Sequence, residues 1–167
     1  MMKKTLIVAL LSIAACSKEN TSADTTRVGL APPAQTAAQN AAPASARTIK
    51  VYKDANCGCC KEWVKHLEQN GFTVEVMDMP DLSAVKTKYG VSPQLQACHT
   101  AVIGDYVVEG HVPADLIVKM LNEKPAIAGL AVPGMPAGSP GMEGATKERY
   151  DVLTFDRAGR TTVYAER

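Results

Sequence analysis

Alternation and helical spacing of apolar side chains divide the chain into a short series of elements from residue 48 onward. Residues 48–53 alternate and are rich in β-branched side chains, which predicts a strand. Residues 54–58 read as a turn. Beyond it, apolar positions recur at Cys60, Trp63, Val64 and Leu67, the i, i+3, i+4, i+7 spacing of one helix face, and Asn70-Gly71 supplies a stop. Residues 72–78 predict a second strand. Residues 81–89 predict a short helix with Asp81 at its start and Gly90 at its end. Residues 99–104 are apolar on both faces and predict a central strand, which Gly104-Asp105 turns into a fourth over 106–109. Pro113 then opens a helix running through Met120 and Leu121, at a position where its missing N–H costs nothing. The predicted order is β-α-β-α-β-β-α, an α/β unit with no internal repeat.

Past Asn122 the pattern breaks. Residues 125–144 hold five Gly and four Pro together with Met135 and Met142, and predict an ordered loop or lid rather than an element. Residues 150–155 and 161–164, split by a turn, predict a C-terminal β-hairpin.

The first part of the chain is patterned differently. Met1-Met2-Lys3-Lys4 precedes an apolar run over residues 6–15, interrupted by Ser12, which predicts a secretory signal peptide too short for a stable span. It ends Ala14-Ala15-Cys16. That ending resembles a bacterial lipobox, with Cys16 as the lipidated first residue; ordinary cleavage beside a stray Cys is the alternative. Ser17 after Cys16, by analogy with lipoprotein sorting, points to the outer membrane. Residues 17–46 contain nine Ala and three Pro and almost no large apolar side chain. Such a stretch buries too little surface to offset its chain entropy, which predicts a disordered tether. The expected organisation is therefore a signal over 1–15, a lipidated Cys and tether over 16–46, and a working domain over 47–167. The expected location is the periplasm, with the membrane engaged only through the lipid anchor.

Composition narrows the function classes. The chain has 167 residues, the size of one domain with appendages, and 46% of them are hydrophobic, enough for a core. Eighteen basic and 17 acidic residues leave a net charge of +1. Nucleic-acid binding, which shows as a basic excess, has no support, and neither does an acidic solvating chain.

The cysteines carry the chemistry. Of five, Cys16 is assigned to the anchor, and three of the remaining four stand in one window, Cys57-Gly58-Cys59-Cys60, at a strand-to-helix turn. Two structural disulfides are one reading, but cysteines this clustered close very small loops and constrain the unfolded chain little. The functional reading starts from position: Cys57 and Cys60 form a C-x-x-C at a helix start, where unpaired N–H groups and the helix dipole stabilise thiolate. Lys53 and Lys61 add positive field.

A strand, a C-x-x-C and a helix opening a β-α-β-α-β-β-α order resemble the thioredoxin-like fold. In such folds the loop before the third strand lies against the C-x-x-C and usually carries a cis-proline. Here it reads Leu95-Gln96-Ala97-Cys98-His99-Thr100, with Cys98 in that place and Pro93 several residues earlier. A fourth thiol there weighs against ordinary exchange with protein disulfides and favours a soft-metal site, since thiolates select Cu(I), Zn and iron–sulfur clusters. Cys98 and His99 are neighbours on an incipient strand, so one of the two, Cys98, is expected to face the site. His111 follows the fourth strand at a turn that approaches the C-x-x-C in glutaredoxin-like relatives, and is a candidate ligand. His66 lies about 10 Å down the helix from Cys59 and is expected at the surface or packed beside Trp63. Met135 is either a thioether ligand or a hydrophobic plug over the site. Met77 and Met79 are expected to pack at a strand end, and Trp63 in the core.

Cys57-Gly-Cys-Cys60, with Trp63, His66-Leu67 and Gly71-Phe72 after it, is similar to the CopG-type periplasmic copper-resistance proteins. So are Ala97-Cys-His-Thr-Ala-Val102, Glu109-Gly-His-Val-Pro113, Gly129-Leu-Ala-Val-Pro-Gly-Met-Pro136 and Tyr150-Asp-Val-Leu. The similarity runs from about residue 48 to 164. It implies a thioredoxin-like fold, copper binding at the cysteine cluster, and a part in copper or silver resistance beside efflux components. The expected metal ligands are Cys57, Cys59, Cys60, Cys98, His111 and Met135, with Cys57 and Cys60 as the redox pair. Three functions stay open at this point: a redox-active Cu(I)/Cu(II)-binding protein or copper oxidoreductase, a thiol–disulfide oxidoreductase with incidental metal binding, and a passive copper store or chaperone.

Overall fold

Strand β1 (Thr48–Lys53) alternates half-buried and buried positions and sends Ile49, Val51 and Lys53 inward. It opens the part of the chain, residues 47–167, that the computed structural model describes; the signal, the lipidated Cys16 and the tether expected over 1–46 lie outside the described residues. After β1 come α1 (Gly58–Gln69), β2 (Thr73–Asp78), α2 (Ser83–Lys88), one 3-10 turn (Pro93–Leu95), β3 (His99–Ile103), β4 (Tyr106–Glu109) and α3 (Ala114–Glu123). Strands β5 (Gly129–Ala131), β6 (Asp151–Phe155) and β7 (Thr161–Glu166) follow. Up to α3 the order of strands and α-helices is the one the apolar pattern predicts. No helix among the described residues is long and apolar enough to cross a membrane.

The strands form one seven-stranded sheet in the order β2-β1-β3-β4-β5-β6-β7. β1 and β2 are parallel, as a crossover through α1 requires, while β3 lies antiparallel to both β1 and β4. Both faces of the sheet are covered. Trp63 and Leu67 of α1 pack with Ile117 and Met120 of α3 against Ile49, Val51, Ala101, Val108 and Leu130. Val91, Leu95, Val107, Ala131 and Phe155 form a second cluster. Val107 and Val108 are consecutive on β4, and so are Leu130 and Ala131 on β5, so the two clusters occupy opposite faces. The Trp63 indole N–H donates to the Val112 carbonyl at 2.9 Å, satisfying the polar atom of a fully buried ring.

Three expectations need correction. The 125–144 stretch is not free of regular structure: Gly129–Ala131 forms β5, buried at all three positions, and joins the closing hairpin to β4. A Cβ on Gly129 would stand 1.9 Å from the Val107 carbonyl oxygen, so this strand needs glycine where the pattern signals a loop. The second helix begins at Ser83 rather than Asp81, whose carboxylate accepts from the Ser83 N–H at 2.8 Å in the turn before it. Met77 does not pack: β2 is an edge strand with little cover, and Met77 is 46% exposed.

Candidate metal centre

The end of β1, the start of β3 and the end of β4 meet at one end of the sheet, where Lys53 pairs with His99 and Thr100 with Glu109. The chain leaves β1 through a turn in which the Cys57 N–H donates to the Asp54 carbonyl at 3.1 Å. Cys57 is the N-cap of α1, and its Sγ accepts from the Cys60 N–H at 3.3 Å, in the place an Asp or Ser oxygen normally takes. Cys57 and Cys60 are joined as a disulfide; Cys59 and Cys98 are free thiols. The Cys59 Sγ lies 3.5 Å from the Cys57 Sγ and 3.9 Å from the Cys98 Sγ. All four sulfurs fall within 4.8 Å of one another.

Cys98 also belongs to a second group. Its Sγ stands 3.1 Å from His111 Nε2 and 3.3 Å from His99 Nδ1, and these three ligand atoms are again within 4.8 Å of each other. The expectation that only Cys98 of the pair 98–99 faces the site is corrected. Cys98 precedes β3, so strand alternation does not govern it, and both side chains reach the same place.

The Pro/Gly-rich loop contributes a carbonyl. His111 Nδ1 is 2.7 Å from the Pro140 oxygen. A carbonyl only accepts, so the ring carries its hydrogen on Nδ1 and turns the Nε2 lone pair toward Cys98. The turn that brings Pro140 there is tightly seated. Ser139 is fully buried and donates its hydroxyl to the Pro136 carbonyl. Gly141 sits at φ +83°, and a Cβ there would meet the Cys59 oxygen at 2.7 Å and the Trp63 nitrogen at 2.8 Å. Met135 stands on the same loop, 52% exposed.

Burial sets the charge states. The Cys98 thiol is pushed up to about 12, first by desolvation and then by Cys59 beside it. Burial also lowers His111, and lowers His99 well below the usual imidazole range with His111 adding to the effect. Both rings are neutral and able to act as ligands. The His99 ring lies 4.3 Å from Trp63 and 5.0 Å from His111, and its Nε2 is buried with no hydrogen-bond partner. Once Cys57 and Cys60 are reduced, the two groups offer thiol and imidazole donors without a carboxylate, a soft set that fits Cu(I).

His66 stands apart from both groups. Its Nε2 accepts from the Ala114 N–H at 3.1 Å, capping the start of α3. Burial lowers its pKa, so its stabilising contribution is complete above the unfolded value of about 6.5 and is lost as pH falls through the folded value. His66→Ala is expected to cost about 1 kcal/mol in thermal or urea unfolding. Metal stoichiometry should stay unchanged.

Sequence reasoning did not single out Lys86, Thr100 and Glu109, three buried polar residues behind Cys98. A signal was available: a charged side chain closes an otherwise apolar β4, and the two-residue turn at Gly104-Asp105 sets Thr100 opposite it. Burial raises the Glu109 carboxyl, opposed by its hydrogen bonds from Lys86 and Thr100.

Residues 95–142 match a family described as a protein of unknown function, DUF411. Two solved structures are similar over 72% of this chain. One, "Copper resistance protein copG- Form 1", shares 51% identity with a TM-score of 0.68, over 72% of this chain and 96% of that one. The other, "Copper resistance protein copG- Form 2", shares 51% identity with a TM-score of 0.69, over 72% of this chain and 97% of that one. No curated protein matches the chain.

Proposed function

We propose that this chain, which belongs to the family of the copper resistance protein CopG, binds copper as Cu(I) at its cysteine cluster and exchanges electrons with it there. One observation carries the proposal: four cysteine sulfurs lie within 4.8 Å of one another, and one of them, Cys98, is shared with two neutral histidines. Thiolates select Cu(I), and a shared thiolate is a bridging ligand, so the arrangement suits more than one copper. The Cys57–Cys60 pair supplies the redox step. As a dithiol it holds two electrons; reducing two Cu(II) to two Cu(I) converts it to the disulfide and releases two protons. A disulfide and a bound metal exclude each other on the same sulfurs, so oxidation also releases copper. Silver, a soft ion of similar preference, is a second cargo. Met135, exposed on its loop, is not needed for this donor set.

The same proposal takes α1 and its C-x-x-C as thioredoxin-like. It puts the protein in the periplasm, lipid-anchored through Cys16 to the outer membrane, where it works beside copper efflux components. The deciding experiment is an anaerobic titration of the fully reduced protein with Cu(I), followed by mass and thiol counts. The reduced apo form then receives Cu(II). Tight Cu(I) binding, with two thiols lost per two Cu(I) produced, is expected. Cu(I) binding without Cu(II) reduction would leave a passive store. Rapid exchange with protein disulfides without tight Cu(I) binding would leave a thiol–disulfide oxidoreductase.

A further inference from the structure

We infer that Glu109 is a positioning residue for Cys98: from the sheet face opposite α1, its buried carboxylate holds the Ala97 backbone N–H before the Cys98-His99 pair and the Thr100 side chain after it. Glu109 is fully buried, and both of its oxygens are used. Oε1 accepts from the Ala97 N–H at 2.7 Å and from Lys86 Nζ. Oε2 accepts from the Thr100 hydroxyl at 2.6 Å, and that hydroxyl accepts in turn from Lys86 Nζ at 3.1 Å. The three side chains form a closed triangle whose only bond to the backbone near the site goes to Ala97, the residue before Cys98.

Alternation along β4 puts Glu109 on the face of Val107, and alternation along β3 puts Thr100 opposite Ala101 and Ile103, away from Trp63. The triangle therefore touches none of the candidate ligands. A buried ion pair is a poor stability device, since apolar side chains of similar volume often serve as well or better. Its value here is geometric. Cys98 lies outside β3 and has no ladder to hold it, yet it is the sulfur common to both ligand groups. The Ala97 N–H bond supplies the missing constraint.

The inference rests on the copper-binding reading for one readout and is independent of it for another. Two double variants of the full chain separate the acceptor from the charge. Lys86→Met/Glu109→Gln keeps an acceptor for the Ala97 N–H, whereas Lys86→Met/Glu109→Leu removes it. The Gln variant should melt near the wild-type temperature, and the Leu variant, which leaves the Ala97 N–H and the Thr100 hydroxyl without their acceptor, should melt lower but still fold. Two quantities are then measured: Cu(I) affinity of the reduced protein by chelator competition, and, with Cys57–Cys60 oxidised, the rate at which dibromobimane cross-links Cys59 to Cys98, located by peptide mass.

The Gln variant should match wild type in both. The Leu variant should lose about tenfold in affinity, the scale of an outer partner's removal, and cross-link more slowly. Wild-type behaviour of the Leu variant in both measurements overturns the inference. Equal losses in the two variants overturn it too, because charge rather than the acceptor would then be what matters. If wild type itself binds no Cu(I), the copper reading fails and the cross-linking rates alone decide. If the Leu variant does not fold, Glu109→Asp, which withdraws the carboxylate by one methylene, is read in the same way, and wild-type values in it overturn the inference.

Discussion

Cys98→Ser is expected to remove most of the protein's copper. Cys98 is the only residue present in both ligand groups, so its loss breaks the four-sulfur set and the Cys–His–His set together. Loss of an outer partner already costs about 10–100-fold in metal affinity, and a shared inner ligand should cost more. The pH dependence should change with it. Burial and Cys59 hold the Cys98 thiol up to about 12, so at neutral pH it is protonated and a bound metal must displace that proton. Wild-type affinity should therefore rise with pH, by about tenfold per unit for this one proton. The slope of log affinity against pH should fall by about one in Cys98→Ser. Chelator competition at several pH values reads both quantities. Wild-type stoichiometry in Cys98→Ser would remove Cys98 from the site.

Cys57→Ser and Cys60→Ser should each abolish tight Cu(I) binding and all Cu(II) reduction, because either change leaves the redox pair one sulfur short. The two variants differ in structural cost. Cys57 caps α1 through its Sγ, and serine is itself a good N-cap, so Cys57→Ser should retain the helix start. Cys60 is fully buried, its sulfur 3.9 Å from the Cys98 carbonyl, and a hydroxyl there, on a shorter bond to Cβ, lowers stability by about 1–3 kcal/mol if it misses that partner. Thermal melts beside Cu(II)-reduction assays separate the two effects. Reduction at the wild-type rate in either variant would exclude Cys57–Cys60 as the electron source.

Much of the site was legible along the chain because its parts are local. The Cys57-Gly-Cys-Cys60 window, the helix that starts in it, and the position of Cys98 before β3 all follow from short-range pattern. His111 is a candidate because the turn after the fourth strand approaches the C-x-x-C in glutaredoxin-like relatives. What alternation could not supply was His99, because the rule that sends neighbours to opposite faces holds within a strand and Cys98 lies outside one. The loop that carries Met135 also brings a backbone carbonyl, Pro140, to His111. A carbonyl is common to every residue and leaves no mark in a sequence.

By itself the sequence determined the order of the first strands and helices, the C-x-x-C at a helix N-terminus and the soft character of its donors. Each of these depends on residue type and on spacings of a few positions. Tertiary structure alone decided that Gly129–Ala131 is a buried strand, that one cysteine serves two ligand groups, and that Glu109, Thr100 and Lys86 close behind it. The physical reason is distance along the chain. Lys86 and Glu109 are 23 residues apart, and Cys59 and Cys98 are 39 apart. Such contacts come from the strand order β2-β1-β3-β4-β5 and its register, which are set by packing across the whole sheet rather than by any one segment.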